Sequence, residues 1–237
     1  MSLRSLQEQW LTMWEEMDSL DKPSGITLAA PFFSVDAKST IERKDRTILM
    51  VGKATHRDWY LHSFKRVRIK SVSERIEERR SSTVDFLINQ KEYQRSFFWQ
   101  FYRSLSARAG AAVIWSNLAK IGVSRPKDER NPINPWGPFL LRQKGLAQKT
   151  LWAELAEYQP DLVVLVTGSY ALEEITYPAF GERVSWSEGT ANGHPFWFLN
   201  RSGNHPPVLH TGHPAFRSSI ERELWITKAM ELLGSGS

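Results

Sequence analysis

Four continuous apolar runs punctuate an otherwise charged chain: "TILMV" (residues 47–51), "AAVIW" (111–115), "DLVVLVT" (161–167) and "PVLHT" (207–211). Short runs without polar alternation predict strands buried on both faces, as in a parallel sheet. Between them the period changes. Leu6, Trp10, Met13, Trp14 and Met17 recur at helical spacing over residues 3–20, and Pro23 and Gly25 break the pattern beyond. Residues 71–110 predict one or two charged helices ending at Gly110, and residues 140–159 a further helix with Pro160 just past its end. Ser218 and Glu221 form a capping-box pattern that opens a closing helix to residue 233. "SYALEEI" (169–175) reads as helical, "FWFL" (196–199) as a short strand, and the Pro-, Gly- and Asn-rich 122–138 as a long loop.

Strands and helices therefore alternate. That order predicts an α/β fold, a three-layer αβα sandwich around a short, mainly parallel central sheet. One domain over residues 1–237 is expected, with the helix at 3–20 and the charged region 62–108 as elaborations. In such folds ligands collect at the carboxyl ends of the strands. The unusual residues follow strand ends: Gly52 to Trp59, Asn117 to Lys120, Gly168, and His210 to Arg217. They are expected to converge.

Composition narrows the chemistry. The chain of 237 residues contains no cysteine, which removes disulfides, thiolate metal sites, iron–sulfur clusters and cysteine nucleophiles. No apolar stretch resembles a signal or a membrane span, so a cytoplasmic protein without a membrane partner is expected. A net charge of +5 leans toward polyanionic partners. Ten tryptophans supply core area and some stacking surface.

The strand-end segments resemble the signature of the uracil-DNA glycosylase superfamily. Its first strand ends in a Gly-led water-activating loop; here the text is "VGKATHRDW". Its second ends in an Asn that bonds the flipped base, often as N-x-x-K, and "SNLAK" carries Asn117 and Lys120 at that spacing. "LVVLVTGSYALEEI" is similar to its third strand, and "HTGHPAFRSS" to its closing His-Pro loop. The likeness covers roughly residues 47–233, outside the helix at 3–20 and the charged region 62–108. It implies DNA as partner, no cofactor, and excision of a damaged or modified pyrimidine by base flipping, as in DNA repair. The chain departs from the pattern where an acidic residue is usual: Lys53 and Ala54 stand there, and Thr55 replaces a proline.

Each candidate has a functional and a structural reading. His213 is suited to stabilise negative charge on a departing base, or it belongs to a turn before a capped helix. Phe216 and Arg217 are suited to wedge the gap left in the duplex, and the Ser218 and Ser219 amides to hold a phosphate. Asn117 can read a pyrimidine edge or fix its own backbone. Lys120 approaches a phosphate or is a solvated helix residue. Asp58 positions a water or caps a turn. Lys53 is an amine nucleophile of a lyase, or a contact to a phosphate or a bulky base. Trp59, Tyr60 and Phe64 stack on a base or fill the core. Lys65, Arg66, Arg68 and Lys70 track a DNA backbone or form a solvated face. His205, His210 and His213 lack a metal-site pattern, so no metal is expected. Oligomeric state is left open. Two alternatives to a glycosylase remain: a catalytically inactive DNA- or nucleotide-binding member of the same fold, and an unrelated α/β protein interacting through residues 62–108.

Overall fold

Each apolar run becomes a strand, and alternate residues along it face opposite helical layers. A computed structural model describes residues 1–19, 27–28, 31–35, 45–54, 71–89, 96–124, 138–167, 175–176, 179–180, 186–200 and 205–234. The main sheet contains β2 (Arg46–Ala54), β3 (Ala111–Ala119), β5 (Leu162–Val166), β6 (Ser187–Ala191), β7 (His194–Leu199) and β8 (Val208–His210). Their order is β3-β2-β5-β8-β7-β6. The first four strands are parallel; β7 pairs antiparallel with β8, and β6 pairs antiparallel with β7 at the sheet edge. A separate ladder joins β1 (Thr27–Leu28) to β4 (Val123–Ser124).

Five helices complete the described fold: α1 (Leu3–Ser19), α2 (Val72–Asn89), α3 (Phe97–Ala109), α4 (Pro138–Tyr158) and α5 (Ser219–Gly234). Ile48, Met50, Val113, Trp115, Val164 and Leu209 pack with α3 and α5. Their neighbours Leu49, Val51, Ile114, Val163, Leu165 and Val208 pack with α1 and α4. Period-two alternation thus builds two cores on opposite sides of one sheet, the expected three-layer αβα sandwich. Helix α2 touches both: Ile76 joins the second core, Phe86 and Leu87 the first. Helix α1 is integral too, because Trp10 is fully buried and its Nε1 donates to Thr150 Oγ1 of α4 at 2.8 Å.

Local signals account for the ends. Gly110 adopts φ 58° and its N–H bonds Ser106 O, closing α3. Ser218 and Glu221 form the capping box reciprocally, with Ser218 N to Glu221 Oε2 at 2.9 Å and Glu221 N to Ser218 Oγ at 3.2 Å. The short strand expected at 196–199 is longer and has a partner. Asn192 and Gly193 take φ 50° and 78°, the pair of positive values a two-residue hairpin needs, and they join β6 to β7. The helix expected at 169–175 lies almost wholly outside the described residues. Among the described residues no helix is long and apolar enough to cross a membrane.

Candidate functional site

β2 and β3 both run past their apolar stretches, and the additional residues carry the chemistry. Their parallel register sets Gly52 opposite Asn117, and Gly52 also pairs with Val166 on β5. The Asn117 side chain lies directly over Gly52. A Cβ built on Gly52 would overlap Asn117 Oδ1. Glycine is therefore required by close approach at this position. Asn117 is 3% exposed and belongs to the strand itself, where the sequence suggested a loop just beyond it.

His213 reaches the same end of the sheet from β8. Leu165 pairs with His210, and Thr211 N–H donates to Leu165 O at 2.8 Å, which carries the following loop over the end of β5. His213 then caps a 3-10 turn, Pro214–Phe216, by accepting from Ala215 N–H at Nδ1 over 3.2 Å. Both readings of His213-Pro214 meet here, since the turn cap decides the chemistry. With Nδ1 accepting, the neutral ring carries its proton on Nε2. Burial, and then the charge of Lys53, depress the His213 pKa to about 4. The ring is therefore neutral near pH 7 and presents an N–H. Phe98 stacks on it with centroids 5.7 Å apart and planes 24° from parallel.

Lys53 follows Gly52 on β2 and is partly buried, and desolvation lowers its pKa. Its influence on His213 ties the β2 and β8 ends together. Gly52 lies against Asn117 and the Lys53 charge reaches His213, so three segments far apart in sequence supply groups to one end of the sheet.

Lys120 does not join them. The N-x-x-K spacing lies at the end of a strand, where residues three apart face opposite ways. Lys120 consequently turns into the α4 layer and is 2% exposed, so it is neither a phosphate contact at the surface nor a solvated helix residue. Its Nζ lies 2.6 Å from Glu154 Oε1 and 2.6 Å from Ser116 Oγ. Ser116 and Ser34 each donate to Glu154 at 2.7 Å, and Ser34 Oγ lies 3.0 Å from the Tyr158 hydroxyl. Burial lowers the Lys120 pKa while Glu154 opposes that; burial and then Glu154 raise that of Tyr158.

The remaining candidates divide. Arg217 folds back over Gly212, with Nη1 3.6 Å from Glu221 Oε1. It braces the loop in this state and does not project from it as a wedge. Burial would raise the Glu221 carboxyl, but the Ser218 amide and hydroxyl, with His194 and Arg217 nearby, hold it below its ordinary range. The Ser218 amide is consequently occupied by the capping carboxylate, whereas Ser219 is exposed at the first turn of α5. Phe216 ends the 3-10 turn; its side chain lies outside the described ones, as do Asp58, Trp59, Tyr60, Phe64 and the basic residues 65–70.

Sequence reasoning missed Phe97 and Phe98. Phe98 supports His213, and Phe97 lies under the Arg222 guanidinium at 4.3 Å. Arg222 in turn donates to Pro214 O at 3.4 Å and to Arg217 O. The aromatic pair at the start of a helix was the available signal, inside a region set apart from the strand-end motifs. Among the described residues no group of three His, Asp or Glu could hold a metal ion. No family model matches the chain, and no curated protein is significantly similar to it.

Proposed function

We propose that this chain is a DNA glycosylase that flips a damaged or modified pyrimidine out of DNA and hydrolyses its N-glycosidic bond. The observation that carries this reading is that Asn117 and a neutral His213 both stand at the carboxyl end of one parallel sheet, with Gly52 against the first and the Lys53 charge reaching the second. An amide offers both a donor and an acceptor to a pyrimidine edge. A neutral imidazole donating from Nε2 matches a carbonyl oxygen that gains charge as the base departs. The donor is fixed before the reaction by the Ala215 bond and by Phe98, so little reorganisation is needed at the moment of bond breaking. Water supplies the incoming oxygen, and Asp58 is the proposed group to position it. The loop from His213 to Ser219, with Phe216 and Arg217, is the proposed DNA-facing edge. The protein is proposed to work in the cytoplasm as a DNA-repair hydrolase.

A second reading is favoured by Lys53 and Ala54, which occupy the place of the usual acid. On that reading the chain binds DNA or a nucleotide without cleaving it. One experiment separates the two. Purified protein is incubated with single- and double-stranded oligonucleotides carrying uracil, hypoxanthine, or hydroxymethylated or glucosylated cytosine, followed by alkali. Strand breaks at one base, lost in Asn117→Ala and His213→Ala, support the glycosylase. Binding weakened by Arg217→Ala, without breaks, supports the binding module. Neither breaks nor binding overturns both.

A further inference from the structure

The hydrolytic reading gives Lys53 no task, although it stands within the candidate site. It directly follows the glycine beneath Asn117, and its charge acts on His213. It is partly withdrawn from water, which enlarges the neutral fraction of an amine. A nucleotide whose base lies between Asn117 and His213 has its C1′ at the edge of that space. Strand alternation starts the Lys53 side chain on the face opposite Gly52. But Lys53 stands at the strand end and its charge reaches His213, so the four-carbon stem can bend round that end toward the same edge.

We propose that Lys53 is an imine-forming nucleophile that captures the C1′ aldehyde of an abasic deoxyribose in DNA, making the site a strand-cleaving lyase. The proposal rests on the nucleic-acid reading above for its substrate class, but not on base excision. The neutral amine attacks the aldehyde of the ring-opened sugar, a C–N bond forms, and a proton passes from nitrogen to oxygen. The protonated hydroxyl leaves as water, giving a protonated imine. That imine draws electrons from C2′, which loses a proton to water, and the C3′–O bond breaks with the phosphate keeping the electron pair. Water then hydrolyses the imine, restoring Lys53 and releasing an unsaturated aldehyde on the 5′ fragment. No oxidant or reductant takes part.

The test uses the full chain and an oligonucleotide with one preformed abasic site, trapped with cyanoborohydride and separated on a denaturing gel. Reduction converts the imine to a stable secondary amine. Wild type is expected to give a covalent protein–DNA band, reduced roughly tenfold or more in Lys53→Met and Lys53→Arg, since a guanidinium keeps the charge but does not form the imine. Peptide mass mapping of the wild-type adduct should put the modification on Lys53, which holds even if a variant folds poorly. No band, an undiminished band in Lys53→Arg, or mapping to another lysine overturns the proposal. Because no base is present to excise, failure here leaves the glycosylase reading standing, and trapping without excision elsewhere leaves the lyase standing.

Discussion

At Gly52 the absence of a side chain makes room for Asn117, so the smallest addition is informative. In Gly52→Ala the new Cβ displaces the Asn117 carboxamide, because that short side chain yields more readily than two paired strands. The expected result is a loss of base-dependent DNA affinity near that of Asn117→Ala, with thermal unfolding little changed; unaltered affinity would contradict the geometry. His213 makes a second prediction. Its pKa is about 4 in the fold and 6.5 in the ordinary state, so between those values the unfolded chain binds the extra proton. The contribution to stability is full above pH 6.5 and is lost as pH falls through about 4, an amount on the order of 3 kcal/mol. Urea unfolding across this range should therefore show His213→Gln gaining on wild type as pH falls. Parallel curves would show that the ring titrates alike in both states.

Among the elements, β3 carries two kinds of chemistry on its two faces. Asn117 points to the α3 side, and Ser116 and Lys120 join Glu154 of α4 on the other. A buried ion pair broken on one side leaves a charge without its partner, so Lys120→Met alone is expected to cost about 3–5 kcal/mol. Lys120→Met combined with Glu154→Gln should cost clearly less than the two single changes added together. Additive costs in a urea double-mutant cycle would mean that the pair is not coupled. Sequence legibility follows from the same alternation. The strand cores and both helix caps were readable because burial on two faces, Gly110 and the Ser218–Glu221 box act locally. The extent of β3 was not, since Ser116 and Asn117 look like loop residues until β2 is known to run beside them as far as Ala54. Reading Lys120 with Asn117 failed for a related reason: N-x-x-K shares a face on a helix and divides on a strand. The β6–β7 hairpin was missed despite its Asn-Gly turn, because "SEGTA" lacks the apolar alternation that marks a strand.

For the whole molecule, three segments separated by some sixty to a hundred residues meet only because the sheet order is β3-β2-β5-β8. Their convergence was expected from strand-end placement, while the roles of Phe98 and Arg222 depend on helix packing that no local pattern records. A net charge of +5 adds a long-range attraction for a polyanion. DNA affinity should fall steeply as salt is raised from about 50 to about 200 mM, with a linear log–log slope, and a flat response would argue against phosphate contacts. The central claim, that Asn117 and His213 form one base-excising site, is tested most directly by mass-spectrometric detection of free base. The protein in excess is mixed with the modified oligonucleotides, and the released base is quantified for wild type, Asn117→Ala and His213→Ala. The account predicts one released pyrimidine, with the rate falling on the order of 100-fold in each variant. No released base from wild type, or equal release from all three proteins, would contradict it.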